Sequence, residues 1–140
     1  TEGEVDVAES ALRQLSQRQP DRRAPAYDLI RYIRAQKGEA AGREALNELI
    51  AEREDSFELR LMLAQYEFDS DNIDLAYSLL RDLQSDENVN NANRARISLA
   101  RLLLRGGKKE EGLVFVQEAL KADRKEVEAM ARPVIIRVGQ

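Results

Sequence analysis

Apolar residues along this 140-residue chain recur at intervals of three and four positions, which is the period of an α-helix. The alternation of apolar and polar residues that is typical of strands is sustained nowhere. The sequence therefore predicts an all-α fold. Short breaks at Lys37-Gly38, Asp71-Asn72 and Gly106-Gly107 each separate two predicted helices, which favours antiparallel neighbours. N-cap chemistry is predicted at Asp55-Ser56 and at Asn90-Asn91.

An internal repeat organises these helices into pairs, in which we call the earlier one the first helix and the later one the second helix. A small residue recurs near the start of every second helix at intervals of 34, 34 and 36 residues, at Ala8, Gly42, Ala76 and Gly112. A bulky apolar residue follows four positions later in each case, at Leu12, Leu46, Leu80 and Val116. A small residue at a fixed position lets two helices cross closely while its larger neighbours fill the groove.

This period and the residues that carry it resemble the tetratricopeptide repeat (TPR) family. The resemblance is clearest in one unit, which contains Leu99-Ala100, Leu103, Gly107, Gly112, Val116 and Ala119-Leu120-Lys121-Ala122-Asp123. It implies a right-handed α-solenoid of antiparallel helix pairs. The chain departs from the family pattern because it has no Trp and because Glu67 stands where Tyr is usual. An armadillo- or HEAT-like α-solenoid is the alternative interpretation.

The repeat phase also predicts the domain organisation. The whole chain, residues 1–140, is expected to form one TPR-like solenoid fragment, cut from a longer array. Its parts are a half repeat (1–22), three full repeats (23–56, 57–92 and 93–126) and a second half repeat (127–140).

Composition argues against catalysis. The chain contains no Cys and no His, which excludes thiol nucleophiles, His-based proton transfer and the usual zinc sites. Asp69, Asp71 and Asp74 do not have the spacing of a calcium loop, because Ile73 takes a ligand position. We therefore expect no enzyme activity, no catalytic residue, no metal, no cofactor and no small-molecule substrate. No apolar run has the length of a membrane span.

The remaining prediction concerns a surface. The TPR resemblance implies that first helices line a concave groove, where a helix or extended segment of another protein binds. The guanidinium forks of arginines on these helices suit carboxylates, so an acidic partner is expected. The predicted partner-binding residues are Tyr27, Arg31, Arg34, Leu61, Gln65, Phe68, Arg94, Ile97, Arg101 and Arg105.

Three alternatives to this scaffold function stay open. The arginines of the first helices could bind a polyanion, either an acidic polysaccharide or RNA, although few aromatic residues are present for stacking on RNA bases. Acidic neighbours could simply neutralise the same arginines. The chain could also be a structural spacer between domains. The net charge of −4 gives no general sign of nucleic-acid binding.

Two features of the sequence bear on the source and compartment of the protein. Arg outnumbers Lys by 17 to 5, and the Ala119–Asp123 segment is similar to the TPR arrays of bacterial envelope and exopolysaccharide-export proteins. The lack of Cys fits either a bacterial cytoplasm or a periplasm.

Overall fold

The computed structural model describes residues 1–122, and every regular element in that range is an α-helix. The predicted all-α class is therefore confirmed for this part of the chain. The predicted half repeat at 127–140 lies outside the described residues. The helices are α1 (Glu2–Arg18), α2 (Arg23–Lys37), α3 (Glu39–Glu52), α4 (Phe57–Asp69), α5 (Ile73–Leu83), α6 (Val89–Arg105) and α7, which is helical from 109 to 122.

All three predicted breaks lie between helices. Gly38 and Gly107 have φ angles of 99° and 83°, a left-handed conformation that glycine adopts without steric cost. Asp71 adopts the same region with a φ of 68° and is the one non-glycine residue to do so among residues 1–122. These residues reverse the chain within one or two positions, which allows the next helix to return beside the previous one.

The predicted start of α6 is wrong by a few residues. Asn88 is the N-cap, because its side chain accepts a hydrogen bond from the backbone N–H of Asn91, and α6 begins at Val89. The predicted N-cap at Asn90-Asn91 and the predicted repeat boundary after residue 92 therefore both lie inside this helix. At the start of α4, Ser56 is the N-cap residue and its side chain makes no capping bond, but the neighbouring Asp55 carboxylate accepts from the backbone N–H of Phe57 at 3.3 Å.

The chain divides into two compact units, residues 1–76 and residues from 77 onward. In the first unit, α2 packs against α1, α3 and α4, and α3 also packs against α4. The core of this unit consists of buried apolar residues of α2, α3 and α4, and the partly buried Leu12 of α1 packs against it. The core residues are Ala26, Leu29, Ile30, Ile33, Ala45, Leu46, Leu49, Leu59, Met62 and Tyr66. Helices that are separated by one other helix along the chain also contact each other. Helix α2 contacts α4, and Arg13 of α1 pairs with Glu48 of α3 at 3.6 Å.

Two of the four small residues of the repeat, Gly42 and Gly112, lie at close helix contacts, as predicted. A Cβ added to Gly42 would lie 3.2 Å from the Cβ of Arg34 and would overlap the hydroxyl of Tyr66. A Cβ added to Gly112 would lie 2.9 Å from the Cγ of Leu104. Both glycines therefore let second helix and first helix approach more closely than any larger side chain permits.

The second unit has its own apolar core. Tyr77 and Leu80 of α5 are buried in it, and α6 contributes the buried residues Ala92, Ala95, Leu99, Ala100, Leu102 and Leu103. The hydroxyl of Tyr77 donates to the carbonyl oxygen of Leu102 at 3.4 Å, close to where α6 ends at Gly106.

A polar contact holds the end of α1 in the first unit. The guanidinium of Arg53, which follows α3, donates to the carbonyl oxygen of Ser16 at 3.1 Å and to its hydroxyl at 2.7 Å. It also donates to the carbonyl oxygen of Pro20 at 3.3 Å. Ser16 is completely buried, so Arg53 satisfies polar groups that water does not reach.

Candidate functional site

The outward face of α2 carries the first predicted binding residues. Because Ala26, Leu29, Ile30 and Ile33 turn into the core, the intervening positions Tyr27 and Arg31 face solvent. Tyr27 is 44% exposed, and the guanidinium carbon of Arg31 lies 5.5 Å from the centre of its ring. Arg31 also lines a shallow open hollow together with Asp28, Tyr32, Arg34 and Ala35, all on α2. This face thus presents an aromatic ring beside a cation.

Arg34 lies on the same face but is tied to α4. Its guanidinium carbon is 4.5 Å from the ring centre of Tyr66, and its Nη2 atom donates to the carbonyl oxygen of Asp69 at 3.5 Å. Asp69 is the last residue of α4, where the free carbonyls of a helix attract positive charge. Arg34 is half-buried as a result, so it positions α2 against α4 as much as it contributes to the surface.

The predicted residues of α4 meet those of α2 at this point. Leu61, Gln65 and Phe68 follow one another at helical spacing and are all half-buried. The amide nitrogen Nε2 of Gln65 donates to the carboxylate of Asp69 at 2.9 Å. Since Arg34 and Gln65 both bind Asp69, the structure brings the α2 and α4 residues into one continuous surface. We call this surface, Tyr27, Arg31, Arg34, Leu61, Gln65 and Phe68, the α2–α4 face.

The second unit presents a separate basic surface on α6, which we call the α6 face and which consists of Arg94, Ile97, Arg101 and Arg105. Ile97 is 43% exposed, and Arg101 and Arg105 are exposed beside it. The helix contains no Asp or Glu. Arg101 forms no ion pair within the described part of the chain. Arg94 and Arg105 already interact with other groups of the protein, which agrees in part with the alternative of arginines satisfied internally.

A partly buried ion pair joins α3 and α4, and the sequence analysis does not predict it. The Nε of Arg43 donates to both carboxylate oxygens of Glu67, at 2.8 and 3.2 Å, and its Nη2 donates to Glu39 at 2.7 Å. Glu67 is only 3% exposed. The hydrogen bonds to Glu67 and Glu39 hold the pKa of the Arg43 guanidinium above its ordinary value. The unusual acid at Glu67 was visible in the sequence, but nothing there identified Arg43 as its partner.

Tyr66 links this ion pair to the α2–α4 face. Its ring is close to the guanidinium groups of Arg34 and Arg43, whose central carbons are 4.5 and 5.8 Å from the ring centre. Its hydroxyl donates to the backbone carbonyl oxygen of Glu39. Burial raises the pKa of the Tyr66 phenol, and the charges of the two arginines partly oppose this shift. The cluster is fully paired, so it supports the surface rather than offering reactive groups.

No set of three or more His, Cys, Asp or Glu side chains within residues 1–122 is arranged to hold a metal ion. Among the same residues, no helix combines the length and the apolar character needed to cross a bilayer. No model of a known protein family matches the chain, and a search of the curated proteins finds no match for it either. The TPR resemblance and the solenoid that it implies therefore stay predictions.

Proposed function

We propose that this chain is a non-catalytic interaction module of the TPR-like α-solenoid type, which binds a segment of another protein across its first helices. The observation that carries the proposal is the α2–α4 face. Arg34 and Gln65 converge on Asp69 and join two first helices into one surface, which carries the exposed ring of Tyr27 and the exposed cation of Arg31. Such a surface offers a peptide both apolar and charged contacts.

Each of the two faces by itself carries an exposed apolar residue and an exposed arginine. Tyr27 and Ile97 are the apolar contacts, since each leaves over two fifths of its surface open to solvent. Arg31 and Arg101 are the recognition charges, because both are exposed and a guanidinium fork binds a carboxylate with two hydrogen bonds. The partner is therefore a helix or extended segment that bears Asp or Glu beside apolar residues. Arg34 and Gln65 position the face through Asp69.

Charge reversal of the two recognition arginines tests this function. The full chain and its Arg31→Glu/Arg101→Glu variant are used as baits, and captured proteins are identified by mass spectrometry. We expect the variant to lose the partners that the unchanged chain captures. The matched control is Arg81→Glu/Lys121→Glu, which makes the same change in net charge at exposed positions of second helices. It is expected to keep them, with helical circular dichroism unchanged in both variants.

The opposite result assigns the site elsewhere. Capture that survives in Arg31→Glu/Arg101→Glu and disappears in Arg81→Glu/Lys121→Glu would place binding on the second helices. A polyanion-binding protein would instead retain an acidic polysaccharide or RNA, with an affinity that falls steeply as salt rises. A structural spacer would capture nothing that depends on any of these four side chains.

A further inference from the structure

The hollow on α2 holds charges of both signs. Asp28 and Arg31 are exposed in it, and the half-buried Arg34 borders it. The hollow has a volume of about 740 Å³, and the exposed Ala35 contributes only a methyl group to its wall. None of the three charged residues takes part in an ion pair within residues 1–122. Their charges are therefore available to groups from outside the chain.

Both arginines of the hollow lie against aromatic rings. The guanidinium carbon of Arg31 is 5.5 Å from the ring centre of Tyr27, and that of Arg34 is 4.5 Å from the ring centre of Tyr66. A ring attracts a cation without neutralising its charge. Asp28 precedes Arg31 by three positions, a spacing at which a helix allows an ion pair, but this pair does not form. Both cations therefore keep their charge and are positioned in advance for an anion.

The negative and positive parts of the hollow are separated along the helix axis. Because an α-helix rises about 1.5 Å per residue, Arg31 lies about 4.5 Å and Arg34 about 9 Å beyond Asp28. A segment that lies along α2 from its beginning therefore meets one negative charge and then two positive charges. A segment with acidic groups alone, or a polyanion, would place like charges against Asp28, which opposes binding. A segment that carries both signs would satisfy the whole hollow.

We propose that the α2 hollow binds a partner segment that carries a basic residue and an acidic residue about 6 Å apart, the basic one against Asp28 and the acidic one against Arg31 and Arg34. Four positions of a bound helix span this distance, as do two positions of an extended segment, which rises about 3.3 Å per residue. The inference rests on the proposed function, since it names the chemistry of the segment bound at the same face. It adds the basic residue, which an acidic partner alone does not require.

Selection from a display library of random peptides tests the charge pattern, with the full chain as bait. We expect the selected peptides to share a Lys or Arg and an Asp or Glu at one fixed spacing, four positions in a helix or two in an extended peptide. Asp28→Lys is expected to select peptides without the basic member, and Arg31→Glu is expected to select peptides without the acidic member. The matched control is Asp82→Lys, at an exposed position of α5. It is expected to select the same peptides as the unchanged chain.

A double-mutant cycle measures the contact of Asp28 directly. One selected peptide is synthesised twice, once unchanged and once with its basic residue replaced by Gln, and fluorescence anisotropy gives the affinity of each. On the unchanged chain, we expect the Gln peptide to bind about two- to fivefold more weakly, which is the effect of one exposed ion pair. On Asp28→Asn, the two peptides are expected to bind equally, because the partner of the basic residue is gone. Circular dichroism is expected to show the same helical content in both chains.

The failure of this inference is distinguishable from failure of the proposed function. Peptides selected for acidic residues alone would overturn the inference and leave the proposed function standing. The same holds for a Gln peptide that binds as much more weakly to Asp28→Asn as to the unchanged chain. If Arg31→Glu selects the same peptides as the unchanged chain, or if no peptide is selected at all, both the inference and the proposed function at the α2–α4 face are contradicted.

Discussion

Helices α1 and α3 have the same arrangement of small and apolar residues 34 positions apart, yet the protein buries them differently. In α3, Leu46 is fully buried and Ala45 and Leu49 are 3% exposed, because α2 and α4 both pack against this helix. In α1, the corresponding Leu12 is half-buried and Leu15 is 46% exposed. The repeat pattern thus specifies which side of a helix is apolar. The number of neighbouring helices decides how much of that side is buried from solvent.

The polar contacts of the two helices differ in the same way. Arg43 of α3 binds the buried Glu67, whereas Glu9, which holds the same position in α1, pairs with the exposed Lys37 at 3.1 Å. The hydrogen bonds to Asp6 and Glu9 raise the pKa of Lys37, but the amine lies at the surface, where ion pairs add little stability. The pair of Arg43 with Glu67 is therefore expected to contribute more stability than the pair of Lys37 with Glu9.

The largest difference is expected for deletion of the matching leucines. Leu46→Ala empties a fully buried site and is expected to lower the free energy of unfolding by about 3–5 kcal/mol. Leu12→Ala is expected to cost about 1–2 kcal/mol, because the half-buried Leu12 loses less apolar contact and its site is open to relaxation. Urea denaturation measures both. Equal losses would show that α1 is buried as fully as α3 in solution.

A smaller difference is expected for the ion pairs. Arg43→Ala leaves the carboxylate of Glu67 buried without its main partner, so we expect a loss of about 2–3 kcal/mol in the same measurement. Arg13→Ala removes the partly exposed pairs of Arg13 with Glu9 and Glu48 and is expected to cost less than about 1 kcal/mol. A loss for Arg43→Ala as small as that for Arg13→Ala would mean that water reaches Glu67.

The attachment of α1 can be probed through Arg53. Arg53→Ala leaves the buried carbonyl and hydroxyl of Ser16 without their donor, at a cost of about 1–2 kcal/mol. Amide hydrogen exchange is expected to show the largest loss of protection in α1 and a smaller one in α3. Arg60→Ala is the matched control, since the guanidinium of Arg60 donates to the hydroxyl of Ser56, the N-cap of its own helix. Uniform loss of protection in α1 and α3 would contradict a local role for Arg53.

The smallest expected effect concerns Tyr66 and alkaline pH. Tyr66→Phe removes the hydrogen bond to Glu39 and is expected to cost about 1 kcal/mol at neutral pH. Burial raises the pKa of folded Tyr66 above its ordinary value of 10.0. The unfolded chain therefore ionises first, so this stabilisation is complete below pH 10.0 and is lost as the pH rises through the folded-state pKa.

Thermal unfolding at a series of alkaline pH values checks this sign. Tyr66→Phe is expected to lose less stability than the unchanged chain as the pH rises, whereas Tyr27→Phe, at a 44% exposed position, is expected to follow the unchanged chain. A steeper alkaline loss in Tyr66→Phe would show that Tyr66 ionises more easily in the folded protein than in the unfolded one.

Some contacts could be predicted from the sequence because they depend on residue spacing along one helix. The small residues Gly42 and Gly112 were identified as crossing points from their period, and the structure places a first-helix residue against each. The contact of Tyr27 with Arg31 could likewise be predicted, because residues four positions apart lie on the same side of a helix. The predicted start of α6 is wrong because several asparagines in this segment could each serve as the N-cap. Only the hydrogen bond from the backbone N–H of Asn91 to the side chain of Asn88 identifies Asn88 as the N-cap.

The spacing of apolar residues by itself determined the all-α class, the turns and the inward side of each helix, because these are local consequences of a 3.6-residue period. Only the tertiary structure decided that Arg43 pairs with Glu67, that Arg34 and Gln65 meet at Asp69, and that Arg53 binds the buried Ser16. Those outcomes join residues far apart in the chain. They depend on which helices become neighbours and on the cost of burying a charge or leaving apolar surface exposed.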